Sequence, residues 1–219
     1  MGGFIDSAAV EFEKWQALGN DYVIVEDVAL SFELTPARIR AMCAPGTGIG
    51  SDGVLLLTRD PEPGFLAGVR IFNPDGSEAE VSGNGTREAV LYMHRQGWAQ
   101  ADTFSIQTVA GELRPTITSP STCRMDMGRA RLHSDDYPSG SEDGRGELSA
   151  EGRVWHFQHV QVGNPQCAIR VPDPSQLEAL DLLEIGPQIE NHALFPHRTN
   201  VSWFTELEPG RIRARSTSR

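Results

Sequence analysis

Lysine and cysteine are scarce in this chain, and each scarcity excludes a class of protein. Lys14 is the single lysine beside 18 arginines among the 219 residues. A pyridoxal-phosphate enzyme needs a Schiff-base lysine, and a Walker-type phosphate loop needs a Gly-Lys pair that is absent here. Cys43, Cys123 and Cys167 form no CxxC pair. The sequence therefore predicts neither a disulfide scaffold nor a zinc ribbon.

The chain also lacks an excess of positive charge and long apolar runs. The net charge of −11 and a pI near 5.0 argue against a nucleic-acid or anionic-membrane surface. The longest apolar runs, at 54–57 and 89–93, are far too short to span a bilayer. The opening residues MGGFID have neither a basic start nor an apolar stretch, so no signal peptide is expected. We expect a cytoplasmic protein with one large domain or two small ones.

Local patterns predict mixed helices and strands. A hairpin is predicted over 12–27, with its turn at Gly19-Asn20-Asp21, and a helix from Pro36 to about Met42 with Thr35 as its N-cap. Polar residues at 133–152 predict a mobile loop. The remaining predicted elements are strands at 54–58, 69–72, 154–162, 167–171 and 200–205, a hairpin over 104–117, helices at 174–180 and 185–191, turns at 73–76 and 163–165, and the start of a strand at 211.

The most informative stretch is Ser82-Gly83-Asn84-Gly85-Thr86, which leads into a predicted helix over 86–96. That helix is apolar almost all round at 89–93, which predicts a position at the centre of a domain. Glycines let the backbone approach a ligand, and a helix N-terminus favours an anion such as a carboxylate. Taken alone, the motif is better interpreted as an N-cap turn.

A faint internal repeat relates the two halves. Gly19-Asn20 precedes one strand and Gly163-Asn164 precedes another, and a lone asparagine follows later in each half, Asn73 and Asn200. One interpretation is a duplicated fold whose second copy is missing its last piece.

Four blocks in order, ALGNDYVIVED, GIGSDG, RIFNPDGSEAEVSGNGTR and VGNPQ, resemble the diaminopimelate epimerase family from about residue 12 to about residue 215. The resemblance implies an α+β fold of two pseudo-symmetric domains, each a curved mixed sheet wrapped round a central helix. The expected domains are 1–117 and 118–219, the second incomplete.

The family's chemistry follows from the same resemblance. It implies an isomerase that converts LL-diaminopimelate to the meso form in lysine and peptidoglycan biosynthesis, without cofactor or metal. Two cysteines on opposite faces of the α-carbon act as thiolate base and thiol acid. The implied partner is a small amino-acid substrate and neither nucleic acid nor membrane. The sequence leaves open whether the family's usual homodimer forms.

Site residues are carried over by matching positions. Each asparagine alone is better interpreted as a turn residue, but four matches in family context reverse that preference. The expected site consists of Ser82 at the first catalytic cysteine position, Asn20, Asn73, Asn164 and Asn200 as substrate-binding asparagines, and Gly83 and Asn84 as the pair that cradles the carboxylate.

Three departures from the family pattern predict impaired activity. Ser82 is a far weaker acid than a thiol. Gln166 stands where the family usually has a histidine. The second catalytic motif, Cys-Gly-x-Gly, is absent where it is expected to begin, near Ser216, so we expect a truncation or a frameshift there.

Two alternatives keep the fold. One is a related reaction, as in the proline racemase and phenazine-biosynthesis isomerase groups, including one-base elimination. The other is an inactive binding remnant. A metal site is not expected at His156 and His159, because residues three apart on a strand point to opposite faces. Cys167 is expected to be a small buried hydrophobe.

Overall fold

A computed structural model describes residues 10–59 and 61–217. The expectation for the opening residues MGGFID therefore lies outside the described part. The chain falls into two compact units, the first ending at Met127 and the second beginning at Gly128. No helix in the described part is long and apolar enough to cross a membrane.

The first unit is built on a mixed seven-stranded sheet. Its order is first, second, third, fourth, sixth and seventh strand, with the fifth paired to the fourth. Neighbours alternate between antiparallel and parallel pairing along this order. The strands are β1 (Glu13–Ala17), β2 (Asn20–Glu26), β3 (Val54–Thr58), β4 (Ala67–Phe72), β5 (Glu78–Ala79), β6 (Ile106–Thr108) and β7 (Gly111–Leu113), and a separate hairpin consists of β8 (Thr116–Ser119) and β9 (Thr122–Arg124).

Helices bury both faces of this sheet. Helix α1 (Pro36–Cys43) begins as predicted, since the Thr35 hydroxyl accepts from the Arg38 N–H and Pro36 takes the first helical position. Helix α2 (Gly83–Arg95) packs on the opposite face, and its predicted central position is confirmed. Successive side chains along a strand point to opposite faces of the sheet. Those on one face pack with α2 and those on the other face pack with α1. The α2 face includes Ile24, Leu55, Leu57 and Ile71, and the α1 face includes Val23, Val25, Val54 and Phe72.

The second unit has a five-stranded mixed sheet in sequence order. Its helices pack on the face that carries the buried Trp203. His159 is buried on that face while His156 is exposed, and Cys167 is fully buried. The predicted opposite faces of the two histidines and the predicted burial of Cys167 are therefore confirmed. The elements are β10 (Arg145–Ala150), β11 (Arg153–Val162), β12 (Asn164–Arg170), α3 (Pro174–Glu178), α4 (Leu182–Glu190), β13 (Asn200–Glu208) and β14 (Arg211–Thr217).

The two units share a topology, and the predicted α+β class with mixed sheets is confirmed. In each unit, a helical connection joins two parallel neighbouring strands, which are β2 and β3 in the first unit and β12 and β13 in the second. The next strand, β4 or β14, pairs antiparallel with the second of these. The two lone asparagines of the predicted repeat both lie at strand boundaries, but these boundaries are not equivalent. Asn73 follows β4, whereas Asn200 opens β13, the counterpart of β3. A whole strand separates the two positions in the shared topology.

Several predicted boundaries shift. The first turn lies at Leu18-Gly19, both with positive φ, and Asn20 already belongs to β2. Helix α2 starts at Gly83 because Ser82 caps it, its side chain accepting from the Gly85 N–H and its carbonyl from the Thr86 N–H. Pairing between neighbours also extends β12 back to Asn164.

Pairing similarly creates strands in polar sequence. The predicted loop over 133–152 contains β10, whose Leu148 and Ala150 point into the core. The regular strands of the predicted hairpin over 104–117 are shorter, since β7 ends at Leu113, but its outer ends still pair, through a bridge between Thr103 and Thr116. Strand β8 also pairs with β9. Pairing with the next strand along the chain decides these elements, not local composition.

Candidate functional site

Strand direction gathers the first-unit asparagines at one edge of the sheet. Parallel β2 and β3 both begin there, and antiparallel β4 ends there, in the register Val23, Val54, Phe72. Asn20 opens β2 and Asn73 follows β4. The edge therefore carries both predicted side chains, with the loop before β3 between them.

Asp52, in that loop, fixes the start of β2. Its carboxylate accepts from the Asn20 side-chain amide at 2.9 Å and from the Asp21 N–H at 2.9 Å. The Asp52 N–H in turn donates to the Asp21 side chain at 3.0 Å. These bonds hold the Asn20 amide in one orientation, with its oxygen turned to Asn84, whose amide donates to it at 3.4 Å.

The N-terminus of α2 supplies hydrogen-bond donors beside these side chains. Gly83 and Asn84 are its first two residues, and their N–H groups donate to no acceptor within the described residues, as the geometry of a first turn dictates. Arg87 donates to the Gly83 carbonyl at 3.1 Å and to the Asn84 side-chain oxygen. Free amides, the helix dipole and a guanidinium therefore favour an anion at this point.

Ser82 caps the same helix. Its Oγ accepts from the Gly85 N–H at 3.1 Å and from the Tyr22 phenol at 3.2 Å. The residue is half-buried. Its hydroxyl thus lies next to the free amides of Gly83 and Asn84.

Asn73 lies in a tight turn. The Gly76 N–H donates to the Asn73 carbonyl at 2.9 Å, which confirms the predicted turn. The Asn73 side-chain amide donates to the Ser77 hydroxyl at 3.0 Å, and Ser77 donates to Asp75 at 2.6 Å. This network leaves the Asn73 side-chain oxygen as an acceptor.

In the second unit, Asn164 and Asn200 open neighbouring parallel strands. The Asn164 side-chain oxygen accepts from Gln166 at 2.6 Å, and the Asn200 amide donates to the Pro165 carbonyl at 3.3 Å. Gln166 pairs with Asn200 in the strand register. The residue that replaces the expected histidine is therefore an amide donor beside both asparagines.

Glu88 is a further polar residue that sequence analysis did not single out. Its side chain is buried, and neither carboxylate oxygen has a hydrogen-bond partner of good geometry in the described part. Burial and the Asp21 charge raise its pKa to about 8, while the Tyr22 and Ala17 backbone offset part of the rise. The signal was available, as an acidic residue directly before the apolar run 89–93 of a helix predicted to lie at the centre of a domain.

Tyr22, Asp52 and Arg87 were also missed. Arg87 lies within the GNGTR block and Asp52 within GIGSDG, but motif matching did not show which residues they contact. Arg87 donates to Asn84, three residues before it, and Asp52 accepts from Asn20, 32 residues before it. Burial raises the pKa of Tyr22 and of all three cysteines, so these thiols are not activated bases. Within the described residues, no cluster of His, Cys, Asp and Glu could hold a metal.

The chain is similar to known proteins along most of its length. A family model described as diaminopimelate epimerase matches residues 12–133. A diaminopimelate epimerase of Synechococcus sp. is 36% identical over 94% of this chain and 74% of that protein. Another, from Pelotomaculum thermopropionicum, is 37% identical over 94% of this chain and 75% of its own.

Solved structures show a likeness of fold. A probable proline racemase from Agrobacterium radiobacter, with bound carbonate, matches with a TM-score of 0.65 at 13% identity, over 95% of this chain and 70% of that one. Fold and relatives together define the class, an isomerase with the fold of the amino-acid racemases. Within that class, the chain belongs to the diaminopimelate epimerase family, which serves lysine biosynthesis.

Proposed function

We propose that this protein is an epimerase that interconverts LL- and meso-diaminopimelate by proton transfer at the α-carbon, without a cofactor. Its two-base activity is impaired, because Ser82 replaces one of the family's two catalytic cysteines and the Cys-Gly-x-Gly motif of the other is absent from this sequence. Ser82 exchanges the proton on one face. The observation that supports this most is the pair of free N–H groups of Gly83 and Asn84 beside the Ser82 hydroxyl. The substrate-binding residues in this proposal are Asn20, Asn73, Gly83, Asn84, Asn164 and Asn200.

The first-unit site suits the chemistry of a carbanion. An α-proton is very weakly acidic, so its removal needs a positioned base and positive potential where negative charge develops. The α2 amides and the Arg87 guanidinium supply that potential for a carboxylate and its enolate-like form. The asparagines present amide groups to the polar substrate.

Ser82 limits the rate in this proposal. A serine hydroxyl is a much weaker acid than a thiol, so its oxyanion forms rarely at neutral pH. We therefore expect slow turnover with serine and faster turnover with a thiol at this position.

Deuterium exchange at the α-carbon tests the proposal. Exchange of diaminopimelate α-protons in D₂O is followed by NMR, and we expect Ser82→Ala to abolish it. We expect Ser82→Cys to accelerate it by at least about tenfold, because a thiol is a stronger acid than a hydroxyl. A tenfold rate corresponds to a barrier lowered by about 1.4 kcal/mol. Ser139→Cys, at an exposed position of the second unit, is the matched control and leaves the rate unchanged.

The same assay separates the alternatives. Neither exchange nor a rise in melting temperature with any diaminopimelate isomer in the Ser82→Cys variant would refute the substrate assignment. Exchange with proline or hydroxyproline would favour a racemase of the related type, and loss of the α-proton with release of a leaving group would indicate elimination. A rise in melting temperature with diaminopimelate but no exchange would identify a binding remnant.

A further inference from the structure

Tyr22 approaches Ser82 from a distant part of the chain. The two residues are 60 positions apart, and the Tyr22 phenol donates to the Ser82 Oγ at 3.2 Å. Tyr22 lies on β2 with only 5% of its surface exposed. The contact therefore joins the central sheet to the cap of α2.

Two glycines form the slot that holds the Tyr22 ring. A Cβ at Gly53 would stand 2.6 Å from ring atom Cε1 and 2.3 Å from the Phe72 carbonyl oxygen. A Cβ at Gly85 would stand 3.3 Å from Cε2 and Cζ on the other edge. The backbone thus fixes the ring by packing, so the hydroxyl position does not depend on its bond to Ser82.

The Ser82 oxygen accepts two hydrogen bonds, one from Tyr22 and one from the Gly85 N–H. A hydroxyl has two acceptor sites and one hydrogen to donate. With both acceptor sites filled, its own hydrogen is what Ser82 presents to a substrate. Both donors also stabilise negative charge on the oxygen once that hydrogen leaves. Burial raises the pKa of the phenol, which keeps it a donor at neutral pH.

We propose that Tyr22 is the positioning residue for Ser82, since its phenol orients the Ser82 hydroxyl and stabilises the deprotonated Ser82 oxygen. This inference rests on the proposed function, in which Ser82 exchanges the α-proton. In that step the Ser82 O–H bond breaks, its electron pair stays on Oγ, and the proton goes to the α-carbanion. Tyr22 keeps its own proton throughout.

The ionisation of a thiol at position 82 tests this inference without any need for turnover. Ser82→Cys is made with and without Tyr22→Phe, and alkylation by iodoacetamide is measured for the peptide containing residue 82 across about pH 5 to 10. We expect Tyr22→Phe to raise that thiol's pKa by about 0.5 to 1 unit, which slows alkylation about three- to tenfold below the pKa.

Tyr92→Phe is the matched control. Tyr92 is also buried, lies on α2, and donates to Glu26 at 2.7 Å, away from Ser82. We expect it to leave the pKa of the thiol unchanged. A purely structural role for Tyr22 would lower the melting temperature in Tyr22→Phe and leave the pKa of the thiol where it was, and that result would overturn the inference.

A second readout uses the chain with Ser82 intact. Tyr22→Phe is expected to lower kcat of α-proton exchange about three- to tenfold with KM unchanged, since the phenol acts on Ser82 and not on the substrate. An unchanged kcat would count against the inference. Failure of exchange in every variant would refute the proposed function alone, because the thiol titration stands independently of it.

Discussion

Burial of the Glu88 carboxyl group destabilises its charged form. Burial of a carboxyl group without good hydrogen bonds favours its neutral form. With its pKa near 8, Glu88 holds a proton in the folded protein that the unfolded chain, with an ordinary value of 4.5, releases. The folded state therefore binds more protons between these two pH values.

Stability is expected to fall with rising pH for this reason. The stabilisation that comes from protonated Glu88 is fully present below about pH 4.5 and is lost as the pH rises to about 8. Over this range the free energy of unfolding falls by roughly 3 to 5 kcal/mol. Glu88→Gln removes this pH dependence, measured by chemical denaturation at several pH values. Glu142→Gln, at an exposed position, retains it. The same slope in the Glu88→Gln variant would show that Glu88 is not its source.

Among the elements, the turn after β4 is fitted closely to α1. Gly76 has φ of +87°, and a Cβ there would stand 2.6 Å from the Pro36 carbonyl oxygen. The Asp75 carbonyl accepts from Arg40 of α1 at 2.8 Å. The helix therefore fixes the turn that carries Asn73.

Gly76→Ala should destabilise the protein more than positive φ alone explains. Gly64 supplies the control, with φ of +101° and no atom within 4 Å of an added Cβ. We expect Gly64→Ala to cost about 1 to 2 kcal/mol and Gly76→Ala about 3 kcal/mol or more, since overlap with Pro36 adds to the backbone strain. Denaturant titration measures both. Equal losses would mean that the turn moves away from α1 easily.

At the scale of the whole molecule, the cysteines report on the core of each unit. Cys43 lies in the first unit and Cys167 in the second, both buried, and burial raises the pKa of each thiol. Cys123 is half-buried. Each unit has hydrophobic clusters of its own that cover these sulfurs.

We expect slow labelling of Cys43 and Cys167 in the native protein. At mildly alkaline pH, alkylation resolved by peptide should be at least about tenfold slower at these two than at Cys123, because a buried thiol is rarely the reactive thiolate. In guanidinium all three should react at similar rates. Labelling of Cys167 as fast as Cys123 would reveal that the core of the second unit opens readily.

Sequence alone determined what depends on neighbours along the chain. The Thr35-Pro36 helix start, the strand over 54–58, the turn at Asn73–Gly76 and the buried central helix all follow from local patterning, and the four motif blocks identified the family. Short-range hydrogen bonds and side-chain periodicity carry such information directly.

Tertiary structure decided what depends on partners far along the chain. Polar β10 packs Leu148 and Ala150 against α4, more than 30 residues further along the chain, and Asn20 is oriented by Asp52, 32 residues away. The Tyr22 phenol meets Ser82 only because β2 passes beneath the cap of α2. Neither composition nor spacing encodes these contacts locally, since they arise when packing of the core brings distant backbone segments together.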